Sequence, residues 1–421
     1  MKRVILFCSI AMFLLGASLS QAQPPQQGGK IRFGNLAIIP GVTVQGIYDD
    51  NIYLKNGKDY PEDPQKTLAN KKESDWVTHA KPSLLLSYTM PERGLINLGY
   101  QGDFAFYKSN TSNNWKNSQG IFSVDYTAPG GLILGINERY VKAEDPFGGA
   151  DQYQIGSIKK RYYNDLTTKL GFLFSENFRT LLYFNHYKQK YDNSLLDYSQ
   201  DYTIMEYGAG AEARVLPKTW TFLRYLYGTQ KYDTNAPGQT DAFNSNAKWH
   251  RVSAGLTWDP GAKLSGEVNV GYQWRRYDHQ FTSALQTARR DDKDTWVAAT
   301  SLTYMPTEAT TLNLSLSRAI RSTASDTSEQ FTDTAVGLNL SQKLLMKLTL
   351  KAGFTYSRNE YNLPVGSERA DNNYLANLGL DYDIRDWLSF GVGYNLNRKN
   401  SNIEINEYIS NQYVAQVKIV Y

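Results

Sequence analysis

The chain has 421 residues, a net charge of +4 and a mean hydropathy of −0.50, and aromatic residues make up 13% of it, including 31 tyrosines. So small a net charge gives no basis for nucleic acid binding. The single cysteine, Cys8, lies in an N-terminal apolar run, so the rest of the chain can form neither disulfides nor thiolate metal sites.

The N-terminus has the features of a secretory signal peptide. A basic start is followed by an apolar run at 4–16 and a small-x-small cleavage site that ends at Ala22. That run is shorter than the roughly 20 residues a transmembrane helix needs. We therefore expect a signal peptide at 1–22, followed by a flexible periplasmic lead at 23–35.

From residue 36 onward the chain is a succession of segments with period-2 alternation. In LINLGYQGDFAFY at 95–107, Leu98 and Tyr100 fall on one face and Gln101 on the other. Such alternation is typical of β-strands that are apolar on one side only. Counting these segments gives about eighteen strands, each long enough to cross a membrane. The pattern predicts an all-β fold, a transmembrane antiparallel up-and-down β-barrel over 36–421.

The segments between the strands alternate between short turns and long polar stretches. Short ones include 91–94 and 129–131, and long ones include 55–75 and 145–156. Outer-membrane barrels have this asymmetry, with periplasmic turns and extracellular loops. The even strand number places both termini on the periplasmic side. The Gly-Gly pair in 145–156 makes that loop a candidate constriction of the channel.

A soluble secreted β-propeller or β-sandwich is the alternative fold. Strands in such proteins typically have about 5–6 residues, whereas these are roughly twice as long. Aromatic residues also gather near the strand ends, where membrane interfaces would lie. The belt near the short turns would hold Tyr126, Trp220, Trp258 and Trp387, and the belt near the long loops would hold Trp76, Trp249 and Trp296.

The sequence nominates no catalytic group. It has no nucleophile elbow, no zinc HExxH motif and no phosphate-binding glycine loop, and its four histidines are spread over different segments. A barrel enzyme with a catalytic group on its wall or rim is the alternative, but no spacing supports it. We expect a protein that is not an enzyme and has no catalytic residues, metal site or cofactor.

The inner face of the predicted barrel carries the charges. Alternation directs the following candidates toward the lumen: Asp103, Asp125, Lys169, Glu206, Glu212, Arg214, Arg251, Glu267, Arg275, Lys347, Lys351 and Asp381. Basic residues predominate on the later strands, and an electropositive patch there would favour anionic solutes. The alternative is a wall of mutually paired charges without selectivity.

The first strand ends in an unusual polar motif, YDDN. A calcium loop is excluded because the run lacks spaced oxygen ligands with a turn glycine and a distal glutamate. Alternation directs Asp49 and Asn51 into the lumen and Asp50 to the outer side, where a carboxylate is tolerated only near the interface. A bulge after Gly46 would instead turn Asp50 inward.

This motif also carries a family resemblance. Tyr48, Asp49, Asp50, Asn51 and the following Ile52 resemble the tyrosine-acid-acid-Asn-hydrophobic signature of the β-barrel porins encoded with exopolysaccharide-synthesis operons. The resemblance implies an outer-membrane channel for a secreted polysaccharide, with periplasmic polysaccharide-export components as partners.

The last strand, 413–421, ends in an aromatic residue, Tyr421, which resembles the signal read by the barrel assembly machinery. Outer-membrane lipid and lipopolysaccharide are the other expected partners. The strand pattern thus predicts a porin-like channel of the outer membrane, and the family resemblance implies that this channel serves polysaccharide export. A general diffusion porin for small solutes and a non-conducting structural or adhesive barrel are the alternatives.

Overall fold

The computed structural model describes residues 31–63, 67–68, 70–144, 160–192, 201–233, 246–258, 263–278, 292–322, 330–361 and 368–421. The predicted signal peptide at 1–22 and the candidate constriction at 145–156 lie outside this part of the chain. The described residues form a single nineteen-stranded sheet.

The strands follow one another in chain order, each antiparallel to the next. Among the connections in the described part of the chain, two contain a short 3-10 helix (Thr111–Asn113 and Glu404–Asn406). The strands are β1 (Ile31–Phe33), β2 (Leu36–Asp49), β3 (Asp75–Met90), β4 (Gly94–Tyr107), β5 (Trp115–Thr127), β6 (Leu132–Ala143), β7 (Arg161–Ser175), β8 (Phe178–Tyr191), β9 (Tyr202–Leu216), β10 (Thr219–Tyr232), β11 (Ala247–Trp258), β12 (Leu264–Tyr277), β13 (Lys293–Thr307), β14 (Thr310–Ser322), β15 (Gln330–Leu345), β16 (Leu348–Tyr361), β17 (Arg369–Arg385), β18 (Leu388–Ser401) and β19 (Tyr408–Val420).

Strands β2 to β19 close into a barrel of eighteen antiparallel strands, which confirms the predicted fold. Closure is made by β19, which pairs with β2 from Gln412 opposite Asp49 to Val420 opposite Gly41. A closed barrel leaves no unpaired sheet edge, and this is what permits a sheet to span a membrane. The short β1 pairs only with the start of β2, with Ile31 opposite Ile38. Three residues of the segment predicted as a flexible lead are therefore ordered as a strand.

The two ends of the barrel differ. At the long-loop end, connections such as 50–74 and 402–407 join the strands, whereas at the short-turn end β15 and β16 are separated by two residues. Both described chain ends lie at the short-turn end, where the Tyr421 amide donates to the Pro40 carbonyl over 2.9 Å. No helix in the described part of the chain is long and apolar enough to cross a membrane.

The convex face of the barrel is apolar over most of its height. Leu98 and Tyr100 are exposed there and Gln101 lies on the concave face, as the alternation at 95–107 predicts. Of the tryptophans assigned to the two belts, Trp76, Trp296 and Trp387 are exposed, as the belt assignment requires.

Two of the belt assignments are wrong. Trp220 and Trp249 are almost completely buried, and both lie on the concave face. The register shows this for Trp249, which stands opposite Arg275, and for Trp220, which stands opposite Arg214. Position near a strand end does not determine which face a residue occupies, because these strands carry aromatic side chains on both faces.

Charged side chains on the convex face of the barrel strands are confined to the half nearer the long loops, apart from Arg385 at the end of β17. They are Lys116, Glu138, Lys142, Lys188, Lys190, Lys231, Lys248, Arg276, Asp294, Arg318, Arg358, Glu360 and Arg398. Most of them are basic. The apolar half matches the hydrocarbon core of a bilayer, where a charge is costly, and the charged half reaches an interface.

Candidate functional site

Polar side chains on the concave face reach one another across intervening strands. Glu206 on β9 accepts hydrogen bonds from Trp249 Nε1 (3.1 Å) and Arg251 Nη2 (2.8 Å), both on β11. Gly228 of β10 stands between Glu206 and Trp249 in register. A methyl group at Gly228 would overlap the indole, so the glycine lets the Trp249 ring lie flat against the wall.

A second cluster centres on Glu212, whose side chain is 0% exposed. Arg179 donates to it over 2.8 Å from Nε, and Arg224 donates over 3.0 Å from Nη2. Arg224 also pairs with Glu267, over 2.6 Å from Nη1 and 2.9 Å from Nη2. These charges run across β8 to β12 and neutralise one another.

Aromatic rings fill the spaces between these arginines. The guanidinium groups of Arg179 and Arg214 both lie over the Trp220 ring, at 4.0 and 4.6 Å from its centroid. Arg275 lies over the Trp249 ring and donates to Gln230 over 2.6 Å. We call this inner surface of β8 to β12 the arginine–aromatic wall. It is a packed surface, since its tryptophans and most of its charged groups are buried.

Three further candidates from the sequence, Asp103, Asp125 and Lys169, form ion pairs on the inner face of the earlier strands. Lys169 Nζ lies 3.5 Å from Asp125 Oδ1. Asp103 contacts His79 Nδ1 over 2.7 Å and Lys81 Nζ over 3.5 Å. Both carboxylates are therefore paired with basic groups, as expected for the alternative hypothesis of a wall of mutually paired charges without selectivity.

The two lysines predicted on the late strands have different positions. Lys351 pairs with Asp381 over 2.6 Å, and its side chain is 57% exposed. Lys347 does not lie on the wall, because it occupies the two-residue turn between β15 and β16. Its ammonium group contacts the Ile384 carbonyl over 3.4 Å at the short-turn edge. The prediction of Lys347 as a wall residue was wrong, because the alternating pattern around it continues through the turn.

An uncharged polar row crosses the opposite side of the inner face. Register places Asn313 opposite Asn339, Asn339 opposite Gly353, Gly353 opposite Asn377 and Asn377 opposite Asn395. We call these five residues the asparagine row. It runs over five consecutive strands, β14 to β18, and Gln412 of β19 continues it, opposite Asn395.

The geometry of the row leaves its amides available. Asn313 Oδ1 accepts from Thr303 Oγ1 over 2.8 Å. At Gly353 the side chains of Asn339 and Asn377 close over the glycine from both sides. Within the described part of the chain, the amides of Asn339, Asn377 and Asn395 have no hydrogen-bond partner. With strands about 4.8 Å apart, the row presents a repeating series of donors and acceptors.

Reasoning from the sequence missed this row because it looked for charge. A signal was present, since Asn is followed by Leu at the centre of each of these four strands, at 313, 339, 377 and 395. An asparagine between apolar neighbours in a membrane strand must face inward. Only the register, however, shows that the four lie in one line.

The YDDN motif lies at the seam that closes the barrel. Asp49 is buried on the inner side, where its carboxylate accepts from Ser410 Oγ over 2.9 Å and from Gln412 Nε2 over 2.8 Å. Asp50 is on the outer side and accepts from Asn411, over 2.7 Å from the backbone amide and 2.6 Å from Nδ2. The two aspartates therefore bind β19 through hydrogen bonds on opposite faces of the sheet.

Asn51 completes this seam clasp, which we define as Asp49, Asp50 and Asn51. Its buried side-chain amide donates to the carbonyls of Lys55 (2.8 Å) and Ile409 (2.9 Å) and accepts from the Lys55 amide (2.9 Å). Pairing of β2 with β19 is uninterrupted, so no bulge follows Gly46 and Asp50 stays outside, as alternation predicts.

The first and last long loops are also joined by charge. Lys58 Nζ donates to Glu404 and to Glu407, over 2.8 Å in each case. These two hydrogen bonds raise the pKa of Lys58 above its ordinary value of 10.5. Burial lowers the pKa of Lys55, three residues away. The loop that follows the seam clasp is thus held over the seam.

The family described as "Putative beta-barrel porin 2" matches residues 24–421, almost the whole chain. The chain belongs to this family. It is accordingly a porin-like β-barrel channel of the outer membrane, and the resemblance inferred from the YDDN motif is confirmed at the level of the family.

This porin is similar to several solved outer-membrane proteins at low identity. OccK2 (OpdF) from Pseudomonas aeruginosa is 10% identical, with 91% of this chain and 98% of that chain covered and a TM-score of 0.44. A BenF-like porin from Pseudomonas fluorescens Pf-5 is 11% identical, with 91% and 99% covered and a TM-score of 0.45. The siderophore receptor PirA from Pseudomonas aeruginosa is 9% identical, with 91% and 80% covered and a TM-score of 0.39. No curated protein sequence matches the chain.

Proposed function

We propose that this porin is a non-enzymatic channel for hydroxyl-rich carbohydrate chains and that it serves polysaccharide export, with its long loops outside the cell and its termini in the periplasm. The observation that carries the proposal is the asparagine row, because an uncharged line of amides suits a carbohydrate better than an ion.

Each amide in the row offers both a donor and an acceptor, as does each hydroxyl group of a sugar. From Asn313 on β14 to Asn395 on β18 the row spans four strand spacings, which is about 19 Å at 4.8 Å each. A series of equivalent weak sites lets a chain move along the wall without stopping at any one of them.

The charges elsewhere on the inner face support the same interpretation. Glu206 and Glu212 neutralise arginines of the arginine–aromatic wall, and Asp381 neutralises Lys351. Pairs of this kind produce little net field over the lumen, so an anionic solute gains less from the wall than the basic residues by themselves suggest.

Single-channel recording in planar bilayers tests the proposal. We expect steady conductance that neutral oligosaccharides block in a length-dependent way. In the triple variant Asn339→Ala, Asn377→Ala, Asn395→Ala, blocking should weaken by about 100-fold, from about 1 kcal/mol for each lost hydrogen bond. Asn97→Ala is the matched control, since Asn97 lies on the inner face of β4, outside the row, and bonds Ser123.

The outcomes separate the three functional hypotheses. Absence of conductance would refute both channel hypotheses and favour a structural or adhesive barrel. Conductance that oligosaccharides do not block would favour a general diffusion porin. In the source bacterium, deletion should abolish secretion of a polysaccharide, and the wild-type chain should restore it while the triple variant should not.

A further inference from the structure

Three arginines on the convex face form a line in the half of the barrel nearer the long loops. Arg318 of β14 stands opposite Thr334 of β15, which stands opposite Arg358 of β16. Arg358 is opposite Asn372 of β17, and Arg398 of β18 lies two residues from Asn400, which faces Asn372. We call Arg318, Arg358 and Arg398 the outer arginine triad.

Neighbouring polar groups hold these side chains in place. Arg358 Nε donates to Glu360 over 2.9 Å, and Arg398 Nε donates to Asn400 over 2.9 Å. In both cases the acceptor lies two residues further along the same strand, so the guanidinium group is fixed against the wall. The terminal Nη groups of Arg358 and Arg398 have no partner in the described part of the chain.

Arg318 is held from three sides, one of which is Thr295, whose Oγ1 accepts from Arg318 Nη2 over 3.4 Å. Its Nη1 donates to Thr334 Oγ1 over 2.7 Å, and its guanidinium group lies 4.6 Å from the ring centroid of Trp296, an exposed residue of the convex face. The pairing of β13 with β14 ends at Ala298 opposite Arg318, so the upper ends of these strands are not hydrogen-bonded to each other. Arg318 therefore occupies the point at which the wall divides.

The depth of the triad places it at a membrane interface. Arg358 and Arg398 each lie three residues from the end of their strand, which is about 10 Å along the strand axis. At this depth the free-energy cost of an arginine that faces lipid is small, whereas in the apolar half of the wall, at the bilayer centre, the cost is high. Among the residues that the structure describes, Glu360 is the one carboxylate that forms an ion pair with the triad. Most of the positive charge of the triad is therefore unbalanced.

We propose that the outer arginine triad binds the phosphate groups of a glycolipid in the membrane leaflet on the long-loop side. A guanidinium group binds a phosphate through two parallel N–H donors, and arginines already held by a neighbour lose little freedom on binding. Arginines two strands apart are about 10 Å apart, so one headgroup with two phosphates, or two adjacent lipids, can contact all three. Trp296 would pack against the sugar or the upper part of the acyl chains.

The test uses the full-length protein purified in detergent and titrated with a bisphosphorylated glycolipid, followed by native mass spectrometry. We expect saturable binding that weakens by about 10-fold for each arginine replaced, in Arg358→Gln, in Arg358→Gln with Arg398→Gln, and in the triple variant that adds Arg318→Gln. Arg385→Gln is the matched control, because Arg385 is exposed on the same face at the short-turn end. Its binding should equal that of the wild type.

Several results would overturn the proposal. Equal binding of the dephosphorylated glycolipid would show that acyl chains alone are recognised, and complete displacement by millimolar inorganic phosphate would show a site for free anions. A wild-type oligomer that dissociates in Arg358→Gln would show that the face is a subunit interface. Heat-dependent mobility in SDS gels checks that each barrel is folded, and Arg358→Gln alone keeps the test valid should the triple variant fail to fold.

Discussion

Replacing Asn51 by alanine tests whether the seam clasp holds the barrel closed at the long-loop end. The side chain of Asn51 is fully buried and makes three hydrogen bonds, two of them to Lys55 and one to the Ile409 carbonyl in the last strand. The hydrogen bond from the Asn51 backbone amide to Asp49 persists in the variant. Only the side-chain contacts are therefore removed.

The expected cost follows from these contacts. A buried hydrogen bond contributes about 1 kcal/mol net, so three contribute about 3 kcal/mol to holding the loop against the seam. This free energy corresponds to about a 100-fold increase in the population of the open loop. The rest of the β2–β19 pairing is unchanged, so the barrel itself should remain folded.

Trypsin cleavage after Lys55 reports this opening, because the residue is held by the clasp and becomes accessible when the loop detaches. When opening is fast relative to cleavage, the cleavage rate is proportional to the open population. We expect cleavage about 100-fold faster in Asn51→Ala and unchanged in Asn97→Ala, which removes one hydrogen bond far from the seam. Equal cleavage rates in the two variants would refute the role of the clasp.

Three further predictions concern the walls and loops. Glu212→Gln removes the buried carboxylate that pairs with the buried Arg179, and it should cost about 3–5 kcal/mol of unfolding free energy in urea titrations. Lys351→Met breaks a half-exposed pair and should cost less than about 1 kcal/mol. Similar costs in the two variants would contradict the assignment of a packed wall. Gly228→Ala should cost about 1–3 kcal/mol in the same assay because its methyl group overlaps the Trp249 ring, and wild-type stability would show that the ring is not seated there. The pKa of Lys58 is raised above 10.5 in the folded protein, so the contribution of Lys58 to holding the two loops together is complete below pH 10.5. This contribution is lost as the pH rises through the higher pKa of the folded state. Spin labels on the two loops should therefore separate only in that alkaline range, and in Lys58→Met they should be separated already at neutral pH.

The barrel itself was predictable because its determinants are local. Alternation with period 2 identifies a strand with one apolar face, and the contrast between short turns and long loops identifies an outer-membrane barrel. Alternation also correctly placed Asp49 on the inner side and Asp50 on the outer side of the seam. Each of these inferences uses residues only a few positions apart.

The errors also have local causes. Lys347 continues the alternating pattern of its neighbours but lies in a turn, and a turn can extend such a pattern without any change in composition. Trp220 and Trp249 were assigned from their position near strand ends, but the face a residue occupies changes with a shift of one position. Aromatic residues occur on both faces of these strands, so the residue type alone does not show which face a tryptophan occupies.

The class of fold and the strand number follow from repeated local patterns in the sequence, and the family follows from one short motif, YDDN. Which side chains meet depends on the tertiary fold. Asp50 and Asn411 are 361 residues apart, and the asparagine row depends on the register of five strands. The register of each strand is set by its pairing with neighbouring strands around the whole barrel, so the sequence of a single strand does not determine it. In the sequence the YDDN motif stands out for its two carboxylates. In the folded protein its residues Asp49, Asp50 and Asn51 form the clasp that joins the first barrel strand to the last.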